Sequence, residues 1–133
     1  MATNCVTTAS LTWTPPSAAP NSGVANFSVT SSVNAQSVGK VDVLVTDASG
    51  TVIPIPFGTC NSPKTVIIKN MMSTDIGVRL NGAGSDTFKL GAGGMFMYSA
   101  PTSPGATPLS AISVVTTAQP AQVESVEYFV LGD

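Results

Sequence analysis

Apolar side chains recur at every second position along most of this chain, the period of a strand with one face buried. From Val24, residues Ala25, Phe27, Val29 and Val33 share one side, while Asn26, Ser28 and Thr30 share the other. KVDVLVT repeats the pattern with Val41, Val43 and Val45. The following DASG supplies a turn before TVIPIP runs back, which predicts a hairpin whose second arm, carrying Pro54 and Pro56, pairs only at an edge. KTVIIKN at 64–70 is a short apolar run closed by lysines, as a buried strand would be, and IGVRL puts Ile76, Val78 and Leu80 on one face. DTFKL, MFMYSA, AISVVTT and VESVEYFVLG have the length and composition of further strands. No segment carries a capped helical stripe.

Breaks fall between these runs. SLTWT, with Leu11 and Trp13 alternating against threonines, stops at Pro15-Pro16, and PPSAAPNSG reads as an extended linker. PTSPGATP reads as a loop. The expectation is an all-β, single-domain β-sandwich of about 8–10 short antiparallel strands, jelly-roll-like, with an extended N-terminal arm. Residues 1–23 are assigned to that arm and 24–133 to the sandwich domain.

Charge sharpens the picture. Hydrophobic residues make up 43% of the 133 residues and charged residues only 9%, against roughly 25% charged in an average soluble domain. Residues 1–39 and 90–123 hold no charged side chain. Hydroxyl and amide groups are cheaper to desolvate than Lys or Glu, so self-association or docking on a larger body is expected. A net charge of −2 with five scattered cations offers nothing to neutralise a run of phosphates, which argues against nucleic acid. MATNCVTTAS lacks the charged and apolar regions of a secretion signal, and no stretch has the length of a membrane span, so no membrane role is expected.

Candidate chemistry is sparse. With no histidine, the usual general base and the commonest metal ligand are missing. Cys5 and Cys60 have no base beside them in sequence; two small buried thiols is the simplest reading, with one disulfide as the alternative. Glu124 and Glu127, three apart on a strand, point to opposite faces. NGAGSD and GAGG each precede a strand rather than a helix, which makes them turns and not phosphate loops. Asp47, Asp75 and Asp86 lack the D-x-D-x-D-G density of a calcium loop. Trp13 and Tyr98 on alternating strands read as core or interface before sugar platforms. The chain is therefore expected to be non-enzymatic, with no catalytic, cofactor or metal residues.

The succession KTVIIKN, IGVRLNG, DTFKLGAGG, AISVVTTA and VEYFVLGD, spanning roughly half the chain, resembles the small β-rich virion proteins of tailed bacteriophages. In that class an I-x-N strand, an I-x-V strand, an F-x-L-x-x-G turn and a terminal V-x-G strand often recur in this order. The resemblance implies a jelly-roll-like structural protein of the virion, assembled in the host cytoplasm. It implies a capsid decoration (cement) protein on the outer shell of the head, or a head-fibre or tail-tip protein. Its partners would be itself, as a homotrimer, and the major capsid protein or another virion protein. The 1–23 arm is then expected to pair with a neighbouring copy or with the shell, through main-chain hydrogen bonds and an interface at Leu11, Trp13, Pro15 and Pro16. A receptor- or carbohydrate-binding module of a fibre or tail tip is the alternative; a pilus or surface-layer subunit and a histidine-free enzyme with paired carboxylates rank below it.

Overall fold

The computed structural model describes residues 3–13, 23–100 and 109–133. Ten strands run through them: β1 (Thr3–Trp13), β2 (Gly23–Val33), β3 (Ala35–Val43), β4 (Val52–Pro54), β5 (Pro63–Asn70), β6 (Ile76–Leu80), β7 (Phe88–Leu90), β8 (Met95–Ser99), β9 (Ile112–Thr116) and β10 (Glu124–Gly132). The described residues contain no helix, and every strand pairing is antiparallel. The expectation of an all-β chain of short antiparallel strands is met.

Eight of the strands form two four-stranded sheets. The first has the order β3-β10-β5-β8 and the second β4-β9-β6-β7. The pairings nest: β3 with β10, β4 with β9, β5 with β8 and β6 with β7. Two further pairings, β10 with β5 and β6 with β9, join the nested pairs into sheets.

One hydrophobic cluster draws on both sheets. Val43, Val66, Ile68, Val126 and Val130 come from the first, Ile76, Val78, Ile112 and Val114 from the second. Ile55, Cys60, Met72 and Leu109 close it from the connecting segments. Each buried Val or Ile stabilises by roughly 1.5–3 kcal/mol relative to exposure, and β-branched side chains fit the pleated surface they occupy. In the body strands the period-2 pattern seen in sequence is the inward half, as with Val41 and Val43 on β3 and Ile76 and Val78 on β6; in β1 and β2 the alternating Leu11 and Phe27 are exposed instead.

The expected β3–β4 hairpin is corrected. The chain turns at Asp47, whose carboxylate accepts from the Leu44 N–H at 2.7 Å while its own N–H donates to the Leu44 carbonyl at 2.9 Å. It then enters the other sheet, where β4 pairs with β9 instead. Two strands that bury their apolar sides in one core need not be neighbours, and alternation fixes only the face. The edge position of Pro54 does hold, since β4 ends the second sheet and a residue without an N–H is tolerated there.

Tight turns sit where the sequence supplies the conformations. Asn81 and Gly82 follow β6 with φ of 53° and 73°, and the Ala83 N–H closes on the Leu80 carbonyl at 3.1 Å. Positive φ at two successive positions is what Asn-Gly permits. The β10–β5 register shifts between Leu131 and Gly132. A Cβ at Gly132 would lie 2.8 Å from the Pro63 Cα and closer still to the Ser62 carbonyl oxygen, so the bulge requires glycine there.

β1 and β2 stand apart from both sheets as a two-stranded antiparallel ribbon, in register from Thr3↔Val33 to Trp13↔Gly23. Within the chain, then, Thr3–Trp13 of the residue 1–23 arm pairs with β2, and β2 pairs with β1 rather than with either four-stranded sheet.

Candidate functional site

Two apolar surfaces face away from the core, one on the ribbon and one on the first sheet.

On the ribbon, the register places odd-numbered residues of both strands on one face. Near its base that face is covered: Ser31 and Val33 are buried, and the Thr7 and Thr65 hydroxyls meet at 3.0 Å. Lys64 reaches back from β5, its ammonium donating to the Ser32 carbonyl at 2.6 Å and pairing with Asp133 at 2.5 Å. Toward the tip the same face is open. Phe27 is 65% exposed and Leu11 60% exposed, with Ala9 opposite Phe27 and Ala25 opposite Leu11. No charged residue occurs in either strand.

On the first sheet, the outward residues form rows across the strands. One row is Gln36, Leu131, Thr65 and Ser99; the next is Val38, Phe129, Ile67 and Met97, in direct register on β3, β10, β5 and β8. The ribbon lies over the first of these rows, which is why Leu131 and Thr65 are buried on an outer face. The second row is not covered: Val38 is 55% and Phe129 37% exposed. Beyond it, Lys40, Glu127 and Lys69 form a charged border. A shallow cavity of about 470 Å³ lies along this surface, lined by Val38, Lys40, Ile67, Met95, Glu127 and Phe129 among others.

Of the interface residues expected from sequence, Leu11 sits on the open ribbon face, and Trp13 ends β1. Pro15 and Pro16 lie outside the described residues, as do the rest of the linker at 17–22 and the loop at 101–108. Phe27, Val38, Phe129, Ile67 and Met97, the other apolar residues of the two open surfaces, were not among those expected. For Ile67, Met97 and Phe129 a local signal was available in runs where apolar residues are consecutive rather than alternating, VII at 66–68, MFMY at 95–98 and YFVL at 128–131; Val38, between Ser37 and Gly39, and Phe27, between Asn26 and Ser28, carry no such signal.

The remaining polar groups hold the fold together. The buried Asn70 side chain donates to the carbonyls of Thr74, Leu90 and Gly91 at 2.8, 3.1 and 3.0 Å and accepts from the Met72 N–H at 2.9 Å. Arg79 pairs with Asp86 at 3.1 Å, and Glu124 accepts from the Ser73 N–H at 3.1 Å. Cys5 and Cys60 are both free thiols. Burial pushes the Cys60 thiol above its ordinary range; the Gly132 N–H opposes that shift and the Asp133 carboxylate adds to it. Among the described residues, no three His, Cys, Asp or Glu side chains are grouped to hold a metal ion. Neither a family model, nor a curated protein, nor a solved structure matches the chain.

Proposed function

We propose that this chain is a structural assembly protein, a jelly-roll sandwich that docks through its β1–β2 arm. The observation that carries the reading is the open arm face. A two-stranded ribbon standing alone is marginal in water, and this one presents Phe27 and Leu11 at its uncovered end. A charge-free ribbon whose open face is apolar is stabilised by covering that face, so assembly and arm order are one event.

Support for the jelly-roll reading is the nested pairing of the eight body strands. First pairs with last, second with seventh, third with sixth and fourth with fifth, as in one long hairpin rolled into two facing layers. The virion role, decoration of the outer shell of a tailed-phage head, rests on the sequence resemblance together with the scarcity of charge and the arm. Cementing needs no catalytic group. Each copy bound across a junction of shell subunits adds its binding free energy to the assembled state and opposes rupture.

The test uses heads assembled without this protein, to which the purified chain is added back. Wild-type chain should occupy the heads and raise their rupture temperature, whereas Phe27→Glu and Leu11→Glu should do neither. Absence of wild-type binding, or full occupancy by both variants, overturns the reading.

A further inference from the structure

We propose that the arm of one copy docks on the Val38–Phe129–Ile67–Met97 row of a second copy, a head-to-tail contact in which each chain gives an arm and receives one. The inference rests on the arm being a docking element, as proposed above, and names what it meets.

Three observations select a second copy as the occupant. The surfaces are similar in size: beyond Thr7 and Val29 the six residues of the ribbon span five rises of ~3.4 Å, roughly 17 Å, and the four strands of the row span three spacings of ~4.8 Å, roughly 14 Å between the outer strand axes. They match in charge, since the arm strands carry none and the row carries none, while Lys40, Glu127 and Lys69 are held at the border, where they stay solvated. The third is continuity with a contact already made within the chain. The arm's base crosses the same outer face one row away: Thr3, Asn4 and Cys5 share a cavity with Gln36, Phe129 and Leu131, and Thr7 bonds Thr65 on the next strand.

The chain's own arm does not serve the row. It is tied at Asn34, whose N–H donates to the Gly132 carbonyl at 2.9 Å, and again at Thr7, so its path is spent on the Gln36–Leu131–Thr65 row. A second ribbon laid on the open row would continue the layer that the first begins. It would cover Phe27 and Leu11 of one chain and Val38 and Phe129 of the other together. Because donor and acceptor surfaces differ, the contact is heterologous, and a set of such contacts closes as a ring when the rotation permits.

Sedimentation equilibrium on the full chain provides the test, with Phe27→Glu disabling the arm and Val38→Glu disabling the row. Both side chains are solvent-facing, and circular dichroism with thermal melting verifies that each variant is folded. The wild-type chain should self-associate, and each variant alone should associate at least ~100-fold more weakly. Mixed one to one, the two variants should form a mixed pair and nothing larger, because the intact arm of the Val38→Glu chain meets the intact row of the Phe27→Glu chain. A monomeric wild-type chain, association untouched by Val38→Glu, or a mixture without the mixed pair overturns the proposal. If the wild-type chain is monomeric yet binds heads through Phe27, only this pairing fails. If Phe27→Glu changes neither association nor head binding, the docking role of the arm fails with it.

Discussion

Asn70 shows how much of this fold hangs on single polar contacts. It is fully buried, and its amide ties the β5 end to the segment before β6 and to the turn after β7. Asn70→Ala leaves three carbonyls and the Met72 N–H to find other partners; a loss of about 2–3 kcal/mol in chemical denaturation is expected. Asn70→Asp should cost more at neutral pH. The introduced carboxylate would face carbonyl oxygens, which raises its folded-state pKa above the unfolded value of about 3.9. The added penalty is therefore smallest in acid, where both states hold the proton, and grows as pH rises past about 4. A pH series of midpoints for the two variants checks the sign. Gly132→Ala meets backbone on two sides, and a cost of about 1–3 kcal/mol from overpacking is expected at any pH. The raised thiol of Cys60 leads to a redox prediction: in folded chain, Cys5 reacts with a thiol reagent and Cys60 only after denaturant is added. Two thiols reacting at one fast rate in native buffer would contradict it.

Among the elements, body and arm differ in what they need. Every residue of the buried cluster lies between Val43 and Val130, so the arm contributes none of it. A chain starting at Asn34 should fold and unfold cooperatively, weakened by roughly 1–3 kcal/mol through re-exposure of Leu131 and loss of the Thr7–Thr65 hydrogen bond, with Ser99 remaining as a partner for Thr65. A broad, non-cooperative melt would show that the arm is part of the body instead. The strands themselves were legible because an inward side chain at every second position is a local signal, seen in Val41 and Val43 or Ile76 and Val78. Their neighbours were not. TVIPIP follows KVDVLVT by a turn and yet pairs with β9, because nesting is decided by which ends of the chain meet, and no local pattern encodes that. The outer row was hidden for the same reason. Val38, Ile67, Met97 and Phe129 come from segments up to 91 positions apart (129 − 38 = 91), and register alone makes them one surface. Leu11, by contrast, was readable as a strand residue from its alternation beside the proline pair, and it lies exposed on β1.

Across the chain as a whole, the scarcity of charge bears on how the proposed association responds to salt. The arm and the row on which it is proposed to dock hold no ionised group, so association should change less than about threefold between ~0.05 and ~0.5 M salt. A contact built on Lys40, Lys69 and Glu127 would weaken steeply over that range. Hydrogen exchange on the full chain reads out whether the outer half of the arm is completed by the proposed assembly. The amides of Ala9–Leu11 and Ala25–Phe27 are followed in dilute chain and in the assembled state, with those of Val126–Val130 as the internal reference. The arm amides should exchange fast in the dilute chain and gain protection approaching that of β10 once assembled. Arm amides as protected as β10 in the dilute chain, or unprotected in both states, would contradict it.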